Sequence, residues 1–227
     1  MNLLNRRTLE RPDECRRRAL RLIALGSLFA GRTGSYAEEL IRTPRVTEGP
    51  FFPDKLPLDT DNDLLVVTDA SEPADGEVTW LSGRILDASG APVRNAFVEI
   101  WQVDAHGAYL HSRTGNADRR DRRFQGYGRF LTGTDGRYGF RTIKPVAYPG
   151  RTPHIHFRIS RSGERLLATQ CFVKGHPQNE RDGILRGIRD AVQRESVLAE
   201  FRPLEGSRIG ELTAEFDIVL GLTPDDA

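Results

Sequence analysis

Polar and apolar side chains alternate with a period of two from His154 to Ile159, and this constrains the fold more than any other stretch. In an extended chain successive side chains point to opposite faces of a sheet. His154, His156 and Arg158 therefore share one face, and Ile155, Phe157 and Ile159 share the other. The apolar face needs a core to cover it. The other face sets two imidazoles side by side, and imidazole is the commonest protein metal ligand near neutral pH. Immediately upstream runs Tyr148-Pro-Gly-Arg151-Thr-Pro. The segment reads as one wall of a metal site carried on a strand.

The rest of the chain supports a β architecture. Its 227 residues suffice for one domain with appendages. Val78–Leu86 is strand-like, and Asp87-Ala-Ser-Gly90 is a turn. Val93 to Trp101 forms the next predicted strand, with Ala96, Val98 and Ile100 on one face. Phe130 to Phe140 reads as a hairpin around Asp135-Gly136. Strands follow at His154–Ile159 and Leu166–Val173, and alternation from Leu212 to Leu220 predicts a half-buried one. The main helical candidate is about 181–198, with Ile184, Leu185, Ile188 and Val192 on one side. Residues 110–129 form a long, charge-rich loop, expected on the surface near the site. Together these predict a mainly β fold: a single β-sandwich over 77–227 with long loops, preceded by an irregular arm over 38–76.

The N-terminus differs. Arg16-Arg-Arg18 precedes the apolar Leu22–Ala30, and Ser35-Tyr36-Ala37 then offers small residues at cleavage positions. This is the order of an export signal, and the paired arginines resemble a twin-arginine leader. Residues 1–37 are expected to direct export to the periplasm or beyond; if retained as an amphipathic helix, they leave the protein cytoplasmic. Cleavage would remove Cys15 and leave Cys171 alone, so packing rather than a disulfide must hold the fold. A net charge of +1 argues against a nucleic-acid partner held through phosphates. No apolar run approaches the roughly 18 residues of a membrane span.

The histidine pair alone leaves its chemistry open. Two hydrogen-bonded histidines on a solvated face would show the same pattern, as would a non-enzymatic β-sandwich binding module. Zinc or copper would need further donors, which His106, His111 or His176 could supply. Tyrosine is the other source. Bringing a phenol pKa from about 10 to below about 7 takes at least ~4 kcal/mol of differential stabilisation. A trivalent, oxygen-seeking ion such as Fe(III) supplies that most readily. Spacing does not say which of the five tyrosines would coordinate.

The run Tyr148-Pro-x-Arg-x-Pro-His154-Ile-His156-Phe resembles the signature of the intradiol ring-cleavage dioxygenases. Val98-Glu-Ile-Trp-Gln-Val-Asp-Ala-His-Gly107-Ala-Tyr109 is similar to the family's strand and first tyrosine-bearing loop, and Thr47-Glu-Gly-Pro-Phe-Phe52 to the segment at its active-site mouth. The resemblance spans most of 43–221 in family order. It implies Fe(III) held by Tyr109, Tyr148, His154 and His156, with Tyr148 the ligand that dissociates. It implies that Arg151 stabilises developing negative charge, that Gln170 orients substrate, and that Thr47 and Phe51 contact substrate at the mouth. The reaction implied takes a catechol and O2, inserts both oxygen atoms between the hydroxyl-bearing carbons, and yields a cis,cis-muconate-type product. In size the chain looks closer to a protocatechuate-type catalytic subunit than to the catechol and hydroxyquinol branches. With all four ligand positions filled, it could act alone or as a homo-oligomer. Gly150 and Phe51 stand where relatives often carry a bulky aromatic and a tyrosine, which leaves catechol, protocatechuate, hydroxyquinol and lignin-derived relatives all open as substrates.

Overall fold

The computed structural model describes residues 40–65 and 72–224. The expected export signal lies outside them. Among the described residues ten strands form two sheets: β1 (Val78–Leu86), β2 (Phe97–Trp101), β3 (Tyr127–Leu131), β4 (Arg137–Ile143), β5 (His154–Arg161), β6 (Glu164–Val173), β7 (Leu198–Ala199), β8 (Arg202–Pro203), β9 (Leu212–Glu215) and β10 (Ile218–Val219). In the first sheet β1 pairs antiparallel with β4 and parallel with β9 and β10, and β8 lies beyond β9. The second sheet runs β3-β2-β5-β6-β7.

The apolar faces of the two sheets meet in one core. Leu81, Ile85, Phe140, Ala214 and Ile218 come from the first sheet, Phe216 from the break between β9 and β10, and Val98, Ile100, Ile155, Phe157, Ile159 and Leu167 from the second. Phe157 sits 5.1 Å from Phe216 and 5.8 Å from Tyr138, ring centre to ring centre. The apolar half of the β5 alternation thus points into the sandwich as predicted. Its other half is also buried: His154 and His156 are 1% and 2% exposed. They lie on the outer face of the second sheet, beneath long connections.

Four sequence expectations are corrected. The Asp135-Gly136 turn forms, with Gly136 at φ +67, but its flanking strands are not hairpin partners. β3 pairs with β2 and β4 with β1, so the chain crosses from one sheet to the other. Thr132 ends the β3 ladder, its hydroxyl accepting from the Ala96 amide and donating to the Val93 carbonyl. Phe130 and Phe140 then face each other across the core at 6.3 Å. The strand from Val93 begins at Phe97, because Asn95 adopts φ +56. The C-terminal alternation is buried as expected but divided: Asp217 leaves the ladder to accept from the Arg84 amide, and β9 and β10 flank it. The helix of 181–198 is two single-turn-and-a-half pieces, α1 (Gly183–Gly187) and α2 (Ala191–Glu195). Ile188 takes an extended conformation, and Asp190 starts a new helix by accepting from the Val192 and Gln193 amides.

Over its described residues the segment before β1 has no helix or strand, yet it is anchored. Val46 donates to the Ala168 carbonyl, and the Thr169 hydroxyl donates to Pro44. Farther along, Leu64 donates to Arg141 and accepts from Gln125, so the arm closes the gap between β4 and the β3 approach. Gly128 permits this: a Cβ there would stand 2.5 Å from Leu64 Cδ1.

Candidate metal centre

Four donor atoms from three chain segments converge over the outer face of β5. The Tyr109 oxygen lies 2.9 Å from His156 Nε2, 3.4 Å from His154 Nε2 and 3.3 Å from the Tyr148 oxygen. The two Nε2 atoms are 3.1 Å apart. Donors about 2.1 Å from a common centre, and about 90–110° apart there, lie roughly 3.0–3.4 Å from one another. The spacings among Tyr109, His154 and His156 match that expectation, and the Tyr148 oxygen lies at the same range from Tyr109, so these residues fit a single transition-metal ion.

Each donor is positioned by local structure. The β5 pleat places both imidazoles on one face. His154 Nδ1 lies 2.7 Å from the Thr152 carbonyl. A carbonyl only accepts, so Nδ1 carries the proton and Nε2 presents its lone pair. His156 stacks on Trp101 at 4.8 Å with a 6° interplanar angle. Tyr109 rides on a loop shaped by Asp104, whose carboxylate accepts from the amides of His106, Ala108 and Asp121. Tyr148 and Arg151 face each other across a tight turn through mutual backbone hydrogen bonds. Tyr109 is 2% exposed, whereas Tyr148 is only half-buried.

Burial sets the resting protonation. It lowers the His154 pKa to about 4, with the nearby Arg151 charge adding to the effect. Burial, His154 and Arg151 push His156 well below the ordinary value. Both imidazoles are therefore neutral, the form that ligates metal. Burial, and then Tyr148, raise the Tyr109 phenol well above its usual pKa. A cation at the centre reverses that preference by stabilising the phenolate.

Around the donors lie the other predicted residues. Arg151 Nε donates to Asp182 Oδ2 at 2.8 Å, and Nη2 donates to Gln170 Oε1 at 2.6 Å; Nη1 is 3.5 Å from the Tyr148 oxygen. Gln170 Nε2 donates to the Thr47 carbonyl at 2.7 Å. The Thr47 hydroxyl accepts from the Gly49 amide, so this residue meets the site through its backbone. Phe51 stacks on Tyr109 at 5.0 Å and 16°. Phe52 is edge-on to Trp101 and lies beneath the Arg158 guanidinium at 3.8 Å. Glu99 holds that guanidinium in turn and accepts from the Tyr127 hydroxyl. His106, His111 and His176 do not join: His106 faces Asp75, His111 meets the edge of Phe51, and His176 caps a short 3-10 turn. Among the described residues no group of three or more His, Cys, Asp or Glu is arranged to hold a metal. The three histidines that a zinc or copper reading would have added to the pair have other partners instead. Sequence reasoning missed Trp101 and Asp182. The second had a signal, since Asp182-Gly183 precedes an apolar-periodic run as an N-cap does.

The sequence profile of a family described as Dioxygenase matches residues 47–221. The protocatechuate 3,4-dioxygenase beta chain of Burkholderia cepacia is 41% identical over 155 residues, 64% of this chain and 65% of its own length. The hydroxyquinol 1,2-dioxygenase of Rhodococcus opacus is 32% identical over 197 residues, 76% of this chain and 61% of its own. Among solved structures, the dioxygenase domain of a dioxygenase carbohydrate-binding protein fusion from Streptomyces sp. SirexAA-E superposes with a TM-score of 0.61 at 28% identity, over 81% of this chain and 100% of that one. The chain spans slightly under two thirds of the length of these curated relatives.

Proposed function

The chain belongs to the intradiol ring-cleavage dioxygenases, a non-haem iron family, and on that premise we propose that it cleaves a catechol between its two hydroxyl-bearing carbons with O2. One observation carries the reading: the buried Tyr109 oxygen lies 2.9–3.4 Å from the Tyr148 oxygen and from both imidazole Nε2 atoms, which are themselves 3.1 Å apart. Two phenolates suit a hard trivalent ion, so Tyr109, Tyr148, His154 and His156 would hold Fe(III). Bound there, the ion supplies Lewis-acid activation of the catechol toward O2.

The chain's own residues do the rest. Tyr148 stands at the mouth, and its phenolate oxygen takes a proton from an incoming catechol hydroxyl. Arg151 Nη1, near that oxygen, stabilises negative charge on the substrate. Gln170 is held between Arg151 and Thr47, which fixes the amide against one edge of the bound ring. Phe51, stacked on Tyr109, forms an aromatic wall beside it. The product is a cis,cis-muconate-type diacid.

Purified, iron-loaded protein should be red from tyrosinate-to-iron charge transfer, and catechol should shift the band. Catechol, protocatechuate and hydroxyquinol, each tested under 18O2, should yield for at least one of them a ring-opened diacid carrying two labelled oxygens. A colourless, fully metallated protein, or product labelled at one oxygen, would reject the reading. Export through residues 1–37 remains a proposal resting on their sequence; the N-terminus of the protein recovered from its host tests it.

A further inference from the structure

Asp182 is 2% exposed, its carboxylate is fully enclosed, and both carboxylate oxygens are used. Oδ1 accepts from the Ile184 and Leu185 amides at 2.9 Å each and caps α1. A Ser or Asn would perform that task nearly as well. Oδ2 does something a cap does not require. It accepts from Arg151 Nε at 2.8 Å and from the Thr152 amide at 3.0 Å, both about thirty positions upstream in sequence.

We infer that Asp182 is a positioning residue for the reaction proposed above: it aims the Arg151 guanidinium at the Tyr148 oxygen and fixes the Thr152 peptide whose carbonyl orients His154. The inference rests on that proposed reaction. A guanidinium is a rigid plane, so holding two of its nitrogens determines where the third points. Asp182 holds Nε and Gln170 holds Nη2, which leaves Nη1 beside Tyr148. Charge matters too. The Arg151 side chain is 15% exposed and Asp182 is fully enclosed, while Gln170 is neutral. A buried cation needs an ionised partner, and Asp182 supplies it. Burial alone would raise the Asp182 pKa, but the Leu185 and Thr152 amides and the Arg151 charge outweigh it and hold the carboxyl below its ordinary value. One residue on from Arg151, the same oxygen pins the Thr152 amide, and the Thr152 carbonyl takes the His154 Nδ1 proton. A single carboxylate therefore links α1, the charge-stabilising arginine and one imidazole.

Asp182→Ser separates capping from aiming, because serine still caps α1 but does not reach Arg151. Asp182→Asn serves as the second variant, with an amide NH2 turned toward two donors. In both, kcat should fall on the order of 10- to 100-fold with iron retained. In an Arg151→Ala background, Asp182→Ser should cost kcat clearly less than it does in the wild type, since only its hold on Thr152 is then left to lose. Unchanged kcat in Asp182→Ser, or a full multiplicative loss in the double variant, would overturn the inference. A second readout needs no turnover. In metal-free protein the urea midpoint losses of Arg151→Ala and Asp182→Ser should be less than additive when combined; strict additivity would also overturn it. Should iron-loaded wild type cleave no catechol, the proposed reaction fails, and the urea cycle still decides whether Asp182 tethers Arg151.

Discussion

At the scale of residues, the four donors are not equivalent. Tyr109 is enclosed beneath Phe51, while Tyr148 is half-exposed. Removing the Tyr109 oxygen empties a position that solvent does not readily fill. Removing the Tyr148 oxygen leaves one that water reaches. Tyr109→Phe should therefore lose iron, whereas Tyr148→Phe should keep most of it, with a shifted visible band and little turnover. Metal analysis and absorption spectra check this, and equal iron loss in both variants would contradict the distinction. His156→Ala should bind no iron. Arg151→Ala should keep iron and colour but lose on the order of 100-fold or more in kcat; normal turnover would remove Arg151 from the chemistry. The histidines were legible in the sequence because a period of two suffices to put them together. Tyr109 was not legible from spacing, since its loop is folded by Asp104 through contacts that the local pattern does not encode. Asp182 was missed for a related reason: its cap role is local, but its partner Arg151 is remote in sequence.

At the scale of elements, local patterns identified strands well and their partners poorly. β1, β5 and β6 follow directly from alternation and β-branched content. The 130–140 turn was correctly placed, yet a turn signal says nothing about whether its arms pair with each other or bridge two sheets. The crossing is set by Thr132 and by the arm at Leu64, both tertiary effects. Close approaches follow the same logic. β1 passes Phe216 so tightly that a Cβ on Gly83 would stand 2.0 Å from the Phe216 carbonyl oxygen. Gly83→Ala should thus cost about 3 kcal/mol or more by overpacking, read from the urea midpoint; a neutral substitution would mean the two strands separate freely. The Glu99 network beneath Phe52 carries a pH signature. Burial acts to raise the Glu99 pKa, but hydrogen bonds from Arg158 and Tyr127 prevail and hold it below its ordinary value. A depressed folded-state pKa gives stability that is present above the unfolded value, near 4.5, and is lost as pH falls below it. Between pH 6 and 3 the urea midpoint of wild type should therefore fall more steeply than that of Glu99→Gln. Parallel curves would show that Glu99 contributes no acid-linked stability.

For the whole molecule, the two halves of the β5 pattern serve different ends: Ile155, Phe157 and Ile159 hold the sheets together, and His154 and His156 complete a site that no single element forms. The donors come from the loop after β2, the turn before β5 and β5 itself, so the unfolded chain does not present them together. Ligands that bind only the native state stabilise it by mass action. Iron at about 100 times its Kd should add about 2.7 kcal/mol, a rise in Tm on the order of 5–10 °C for a chain of this size. Scanning calorimetry of metal-free protein with and without Fe(III) measures it. Magnesium, which favours all-oxygen octahedra and binds imidazole poorly, should produce no comparable shift. His156→Ala should melt at a temperature that iron does not change. An equal iron-induced shift in that variant would place the metal elsewhere on the protein, and the sandwich would then be a scaffold for some other chemistry.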